Sequence, residues 1–101
     1  MHARLVDEHM RHLGDAVGNV LGERPGASAS PHVVFSAHLD TVFPEGTSVR
    51  TSREGPILKG PGIGDDCRGL AVLIGVIRAM NEARLETPGT ITFVGTVGEE
   101  G

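Results

Sequence analysis

The chain has 101 residues, 39% of them hydrophobic, with a formal net charge of −4. That balance fits one small globular unit and excludes a basic nucleic-acid patch, while a lone cysteine, Cys67, excludes an internal disulfide and suits a reducing, cytoplasmic compartment. A chain of this length buries only about 60–65% of its unfolded surface, and a composition rich in glycine without Tyr or Trp thins the core further.

From the N-terminus, Met1 to Leu13 reads as the end of a helix, with Leu5, His9, His12 and Leu13 on neighbouring faces. It shows no basic region followed by an apolar stretch, so no signal peptide is expected. Asp15 to Glu23 suits a strand, Arg24 to Pro31 a Gly/Ser/Pro loop, and His32 to Ala37 a second strand. Its Val33-Val34-Phe35 run has the apolar, β-branched character of a buried strand. Thr47 to Lys59 reads as a hairpin-like excursion turning at Glu54-Gly55-Pro56. From Cys67 to about Ala83, Leu70, Leu73, Ile74 and Ile77 follow the i, i+3, i+4, i+7 pattern, and Val72 and Val76 make the helix apolar nearly all round. A buried crossover helix is therefore expected, right-handed between its strands. Its apolar run, Leu70 to Ile77, is too short to span a bilayer. Pro88-Gly89 punctuates before a last strand, Thr90 to Val97.

Three stretches that carry chemistry fall at element ends. His38 lies just past the Val33-Val34-Phe35 run, and Asp40, two residues on, lies on the same side of an extended chain. Asp40 can thus accept a hydrogen bond from the free ring N–H of His38 and fix its tautomer. Asp65 and Asp66 follow Gly60, Gly62 and Gly64 and precede the long helix. Asp66 at that place can cap exposed backbone N–H groups, but two neighbouring carboxylates exceed what one cap requires, and a cation would relieve their repulsion. The run fails the G-x-G-x-x-G phosphate fingerprint because Asp65 occupies the last glycine position. Glu99 and Glu100 end the last strand, diverging so that one can bind metal while the other faces a reacting water; spacing alone leaves open which does which. A histidine, a carboxylate able to bridge and a glutamate pair supply the N and O donors of a cocatalytic zinc centre and its general base.

Other residues weigh less. Cys67, at a helix start, could serve as a nucleophile with His38 as base, though a small helix-start residue is the simpler reading. His9 and His12 match no helical zinc pattern: Met10 follows His9, and Leu5 stands where H-x-x-E-H needs its first histidine. His2 and His32 carry no pattern.

The stretches Ser36 to Pro44, Gly60 to Ala71 and Gly95 to Gly101 resemble the dizinc exopeptidase and deacylase family, which includes peptidase T, glutamate carboxypeptidase, acetylornithine deacetylase and aminoacylase. The resemblance runs from near Val17 to Gly101 with no substitution in a ligand. It implies an α/β fold, part of a three-layer α/β/α catalytic domain, and two Zn2+ ions, with Co2+ or Mn2+ able to replace them. In that pattern His38 binds one zinc, Asp65 bridges both, Glu100 binds the other, Glu99 is the general base and Asp40 orients His38. A cis peptide between Asp65 and Asp66 is implied as well. The reaction is then amide hydrolysis of a short peptide or an N-acyl amino acid, with neither nucleic acid nor membrane as partner. The family needs a further acidic ligand and a histidine beyond the glutamate pair, and a lid domain that carries dimer contacts. Residues 1–101 therefore read as the N-terminal part of a truncated catalytic domain, inactive alone, with a homodimer formed through the lid. A non-catalytic metal-binding remnant is the alternative.

Overall fold

The computed structural model describes the backbone of residues 11–14 and the whole of residues 18–101. Strands β1 (Arg11–Gly14), β2 (Val20–Arg24), β3 (His32–His38) and β6 (Thr90–Thr96) form one sheet in the order β1-β2-β6-β3. β6 is the hub: it pairs antiparallel with β2, Leu21 opposite Val94, and parallel with β3, Phe35 opposite Phe93. Helix α1 (Arg68–Glu82) connects the two parallel strands. The α/β class expected from the sequence holds, and among the described residues one helical layer covers one face of the sheet.

That face contains the small core. Ile77 and Met80 of α1 bury against Phe93, with Leu73 and Ile91 packed around them. Phe35 stacks on Phe93, ring centroids 5.8 Å apart. Beyond the parallel strands, β4 (Ser52–Glu54) and β5 (Ile57–Lys59) pair as an antiparallel hairpin around Gly55, whose φ of 58° suits glycine at a tight turn. The expected excursion turns where the sequence places it.

Four expectations are corrected. Residues 11–13, read as a helix end, belong to β1, because the register Arg11↔Glu23 to Gly14↔Val20 supplies cross-strand bonds that a local 3.6 pattern does not. The rest of that segment, with His2 and His9, lies outside the described residues. The strand read over Asp15 to Glu23 starts only at Val20, since Gly18 takes a left-handed φ of 105° just before it; residues 15–17 are likewise outside. β3, read as buried, stands at the sheet edge among the described residues, with Val34 59% exposed, because β6 is the one strand flanking it there. Finally, α1 runs as expected to within a residue at each end, but it packs one face rather than being buried all round, and Val72 and Val76 are exposed.

Arg24 is a buried cation that local sequence does not reveal. Its guanidinium leaves the end of β2 and donates to Asn81 Oδ1, to the Leu85 carbonyl at 2.9 Å and to the Met80 carbonyl at 3.4 Å. It thereby ties the end of β2 to the C-terminal end of α1 and to the turn that follows it, placing a cation where the helix dipole is negative.

Candidate metal centre

The expected site residues converge beyond the carboxyl ends of β3 and β6, where ligands sit in open α/β sheets. His38 is the last residue of β3, and the Leu39 N–H donating to the Thr96 carbonyl at 2.7 Å carries the pairing one step further. β6 then gives way to the turn bearing Glu99 and Glu100, anchored where the Val97 N–H donates to Asn19 Oδ1 at 2.8 Å. His38, Glu99 and Glu100 each offer a ligand atom within 4.8 Å of the others. Asp65 joins from the turn before α1, its Oδ1 2.7 Å from His38 Nε2.

The imidazole is held at both nitrogens. Nδ1 lies 2.9 Å from the backbone carbonyl of Asp40, which therefore accepts its proton, while Nε2 faces Asp65 and, at 3.5 Å, Glu99 Oε2. The expected role of Asp40 is thus corrected in detail. Its backbone oxygen accepts the ring proton, while its carboxylate, 3.5 Å from Nδ1, also accepts the N–H groups of Glu99 at 3.3 Å and Glu100 at 2.9 Å. Asp40 ties the histidine strand to the glutamate turn, a role invisible in a motif read locally.

Electrostatics follow from this crowding. Desolvation lowers the His38 pKa, but the Asp40 carbonyl, the Asp65 carboxylate and the Glu99 charge outweigh it and raise the ring from 6.5 to about 9. The Glu100 N–H holds the Asp40 carboxyl below its usual value against partial desolvation, with the Glu99 N–H and His38 adding to the effect. Desolvation pushes the Glu100 carboxyl up, as do the Asp65 charge and a hydrogen bond with Glu99. A proton on Nε2 thus stands where three carboxylates gather, a place suited to a cation.

The donor set fits a metal. Glu100 Oε2 is buried with no hydrogen-bond partner, a costly state for a carboxylate oxygen that coordination would relieve, and imidazole and carboxylate are borderline-to-hard ligands of the kind zinc takes. His38 Nε2 and Glu100 are placed to hold it, Asp65 stands beside Nε2, and Glu99 completes the cluster. Cys67 is exposed and the His38 ring is engaged elsewhere, so no thiol and base pair forms. His32 donates to or accepts from Thr92 Oγ1 at 2.7 Å, a bond between neighbouring strands.

Asp65 and Asp66 depart from helical φ/ψ, and the peptide between them is cis, as the family pattern implies. Asp66 does cap: its Oδ1 accepts the Gly69 N–H at 3.1 Å.

Comparison with known proteins agrees with this geometry. Residues 34–101 match the model of peptidase family M20/M25/M40. The chain belongs to that family. It is 35% identical over 98 residues to the uncharacterized protein YqjE of Bacillus subtilis strain 168, spanning 93% of this chain and 26% of that protein. It is 31% identical over 84 residues to carboxypeptidase G2 of Pseudomonas sp. strain RS-16, spanning 81% of this chain and 20% of that protein. Among solved structures, the aminopeptidase PepT from Bacillus cereus ATCC 10987 superposes with a TM-score of 0.72 and 29% identity, over 90% of this chain and 27% of that one. A tripeptidase from Staphylococcus aureus subsp. aureus Mu50 superposes at 0.73 and 25%, with the same coverage. The M20 chain thus spans about a quarter of the length of these relatives. No helix among its described residues is long and apolar enough to cross a membrane.

Proposed function

We propose that these residues form the N-terminal part of the catalytic domain of a zinc-dependent M20 exopeptidase that cleaves amide bonds of short peptides in the cytoplasm. The observation that carries this reading is the gathering of His38, Glu99 and Glu100 around one point, with Glu100 Oε2 buried and unpartnered. The likeness to a tripeptidase and to aminopeptidase PepT supports peptides as the substrate class. His38, Asp65 and Glu100 would hold the metal. Bound zinc would supply Lewis-acid polarisation of the substrate carbonyl and acidify water.

The chain's own residues do the rest. Glu99, with its side chain 56% exposed, reaches the solvent side of the cluster and can take a proton from an attacking water, then return it to the leaving amine. Asp40 holds the turn that carries Glu99 and Glu100, and through its carbonyl keeps the proton of His38 on Nδ1, leaving Nε2 toward the metal position. Three ligands and a base are too few to complete two tetrahedral zinc shells. The further acidic ligand and the histidine, with a lid domain able to form a homodimer, are assigned to a longer chain.

The test is an assay of that longer protein, zinc-loaded, against tripeptides and N-acetyl amino acids in parallel, with a chelator and Glu99→Gln as controls. Tripeptide hydrolysis lost in both controls is expected, and residues 1–101 alone are expected to show negligible turnover. Hydrolysis confined to N-acetyl amino acids would replace peptidase by deacylase. No metal-dependent turnover of either class would leave a non-catalytic metal-binding protein.

A further inference from the structure

We propose that Asp66 is a positioning residue for the metal ligands, clamping the end of β3 to the first turn of α1 and so setting Asp65 against His38. The proposal rests on reading His38, Asp65 and Glu100 as ligands. As a helix cap, Asp66 needs one oxygen, and Oδ1 serves by accepting the Gly69 N–H. Its other oxygen, Oδ2, accepts the backbone N–H of His38 at 3.1 Å, from 28 residues earlier in the chain. That N–H belongs to the open side of the sheet. The Leu39 N–H points at β6, so the amide one residue earlier points away from it, and β3 has no strand partner there among the described residues. Asp66 therefore meets the sheet edge at the residue whose imidazole reaches the metal position.

Two further features fit a clamp rather than a cap. Asp65 directly precedes Asp66, so pinning Asp66 to the His38 backbone brings the Asp65 carboxylate to the His38 side chain, Oδ1 2.7 Å from Nε2. Gly69 also leaves room for it: a Cβ there would lie 2.2 Å from Asp66 Oδ1 and 2.7 Å from its Cγ. A side chain at position 69 would thus displace the carboxylate from both partners. Both Asp66 oxygens are occupied by backbone donors, which sets Asp66 apart from the ligating carboxylates and gives the second aspartate of the pair its own role.

The experiment uses the longer protein and measures Co2+ affinity by visible absorption, amide exchange at His38 and urea unfolding in its wild type, Asp66→Ala, Gly69→Ala and the double variant. We expect Co2+ affinity to fall about tenfold in each single variant, as for other residues that orient ligands. The double variant should bind no worse than Asp66→Ala, because the added Cβ has nothing left to displace. His38 amide exchange should be slow in the metal-free wild type and fast in Asp66→Ala. Wild-type affinity and slow His38 exchange in Asp66→Ala, with only the unfolding midpoint lowered, would reduce Asp66 to a helix cap and overturn the proposal. A wild type that takes up no Co2+ would overturn the metal reading and the positioning role with it, a result distinct from binding that the variants leave unchanged.

Discussion

His38 shows how a site residue's charge is set by its neighbours rather than by its identity. With a carbonyl at one ring nitrogen and carboxylates at the other, its pKa of about 9 lies above the ordinary 6.5, so folding favours the protonated ring. The stability this contributes to the metal-free chain is fully present below pH 6.5 and is lost as pH rises through 9. Metal must displace the Nε2 proton, so affinity should climb with pH up to about 9 and then level. Ring titration by NMR in the metal-free chain checks both, and a midpoint near 6.5 would contradict them. The two glutamates should separate as well. Glu99→Gln should keep its metal while turnover falls about 100-fold or more, whereas Glu100→Gln, which alters the unpartnered Oε2 carboxylate, should lose affinity. Equal metal loss in both variants, read by elemental analysis, would refute the division of roles. The ligand types were legible because each sits in a short motif at an element end. The carboxylate of Asp40 was not, since its partners lie 59 and 60 residues away.

Elements are legible where their signals are local and obscure where pairing is distant. The α1 periodicity and the Gly55-Pro56 turn each sit within a few residues, so helix and hairpin appear where the sequence places them. β1 owes its existence to β2, and Arg24 to carbonyls at the far end of α1, and neither partner is marked in the local sequence. The end of α1 has its own signature: the Leu85 N–H donates to the Met80 carbonyl at 3.0 Å while Arg84 adopts a φ of 50°, a left-handed position usually given to glycine. Arg84→Gly should therefore stabilise the chain by about 1 kcal/mol, seen as a raised urea midpoint, and an unchanged or lowered midpoint would contradict the strain. Gly26 makes the opposite case. A Cβ there would lie 1.9 Å from the Gly89 carbonyl oxygen, where the exit from β2 crosses the entry to β6. Gly26→Ala should cost about 2–3 kcal/mol through forced backbone movement, and a loss below about 0.5 kcal/mol, the range of neutral surface changes, would count against that crossing.

At the scale of the molecule, the buried core is small and the site lies at an open rim. The radius of gyration is 15.4 Å, against about 13 Å for a compact domain of 100 residues. Val33, Val34 and Phe35 stand exposed on the edge strand β3, an arrangement that invites pairing with other chains. Val34→Lys should accordingly reduce self-association of residues 1–101 in sedimentation velocity while changing stability by less than about 0.5 kcal/mol; undiminished association would place the sticky surface elsewhere. The sequence reading of β3 as buried and the structure's exposed edge meet in one physical point, that apolar composition records what a strand requires and not what covers it. The claim on which the functional reading turns is that loops from β3, the α1 start and β6 together hold zinc. Anomalous diffraction at the zinc edge from zinc-loaded crystals tests it most directly. The account predicts zinc about 2.0–2.2 Å from ligand atoms of this cluster, with His38 Nε2, Asp65 and Glu100 all among the ligands and Asp65 Oδ1 no longer in contact with the ring. Zinc bound away from these side chains, or none bound at all, would contradict it.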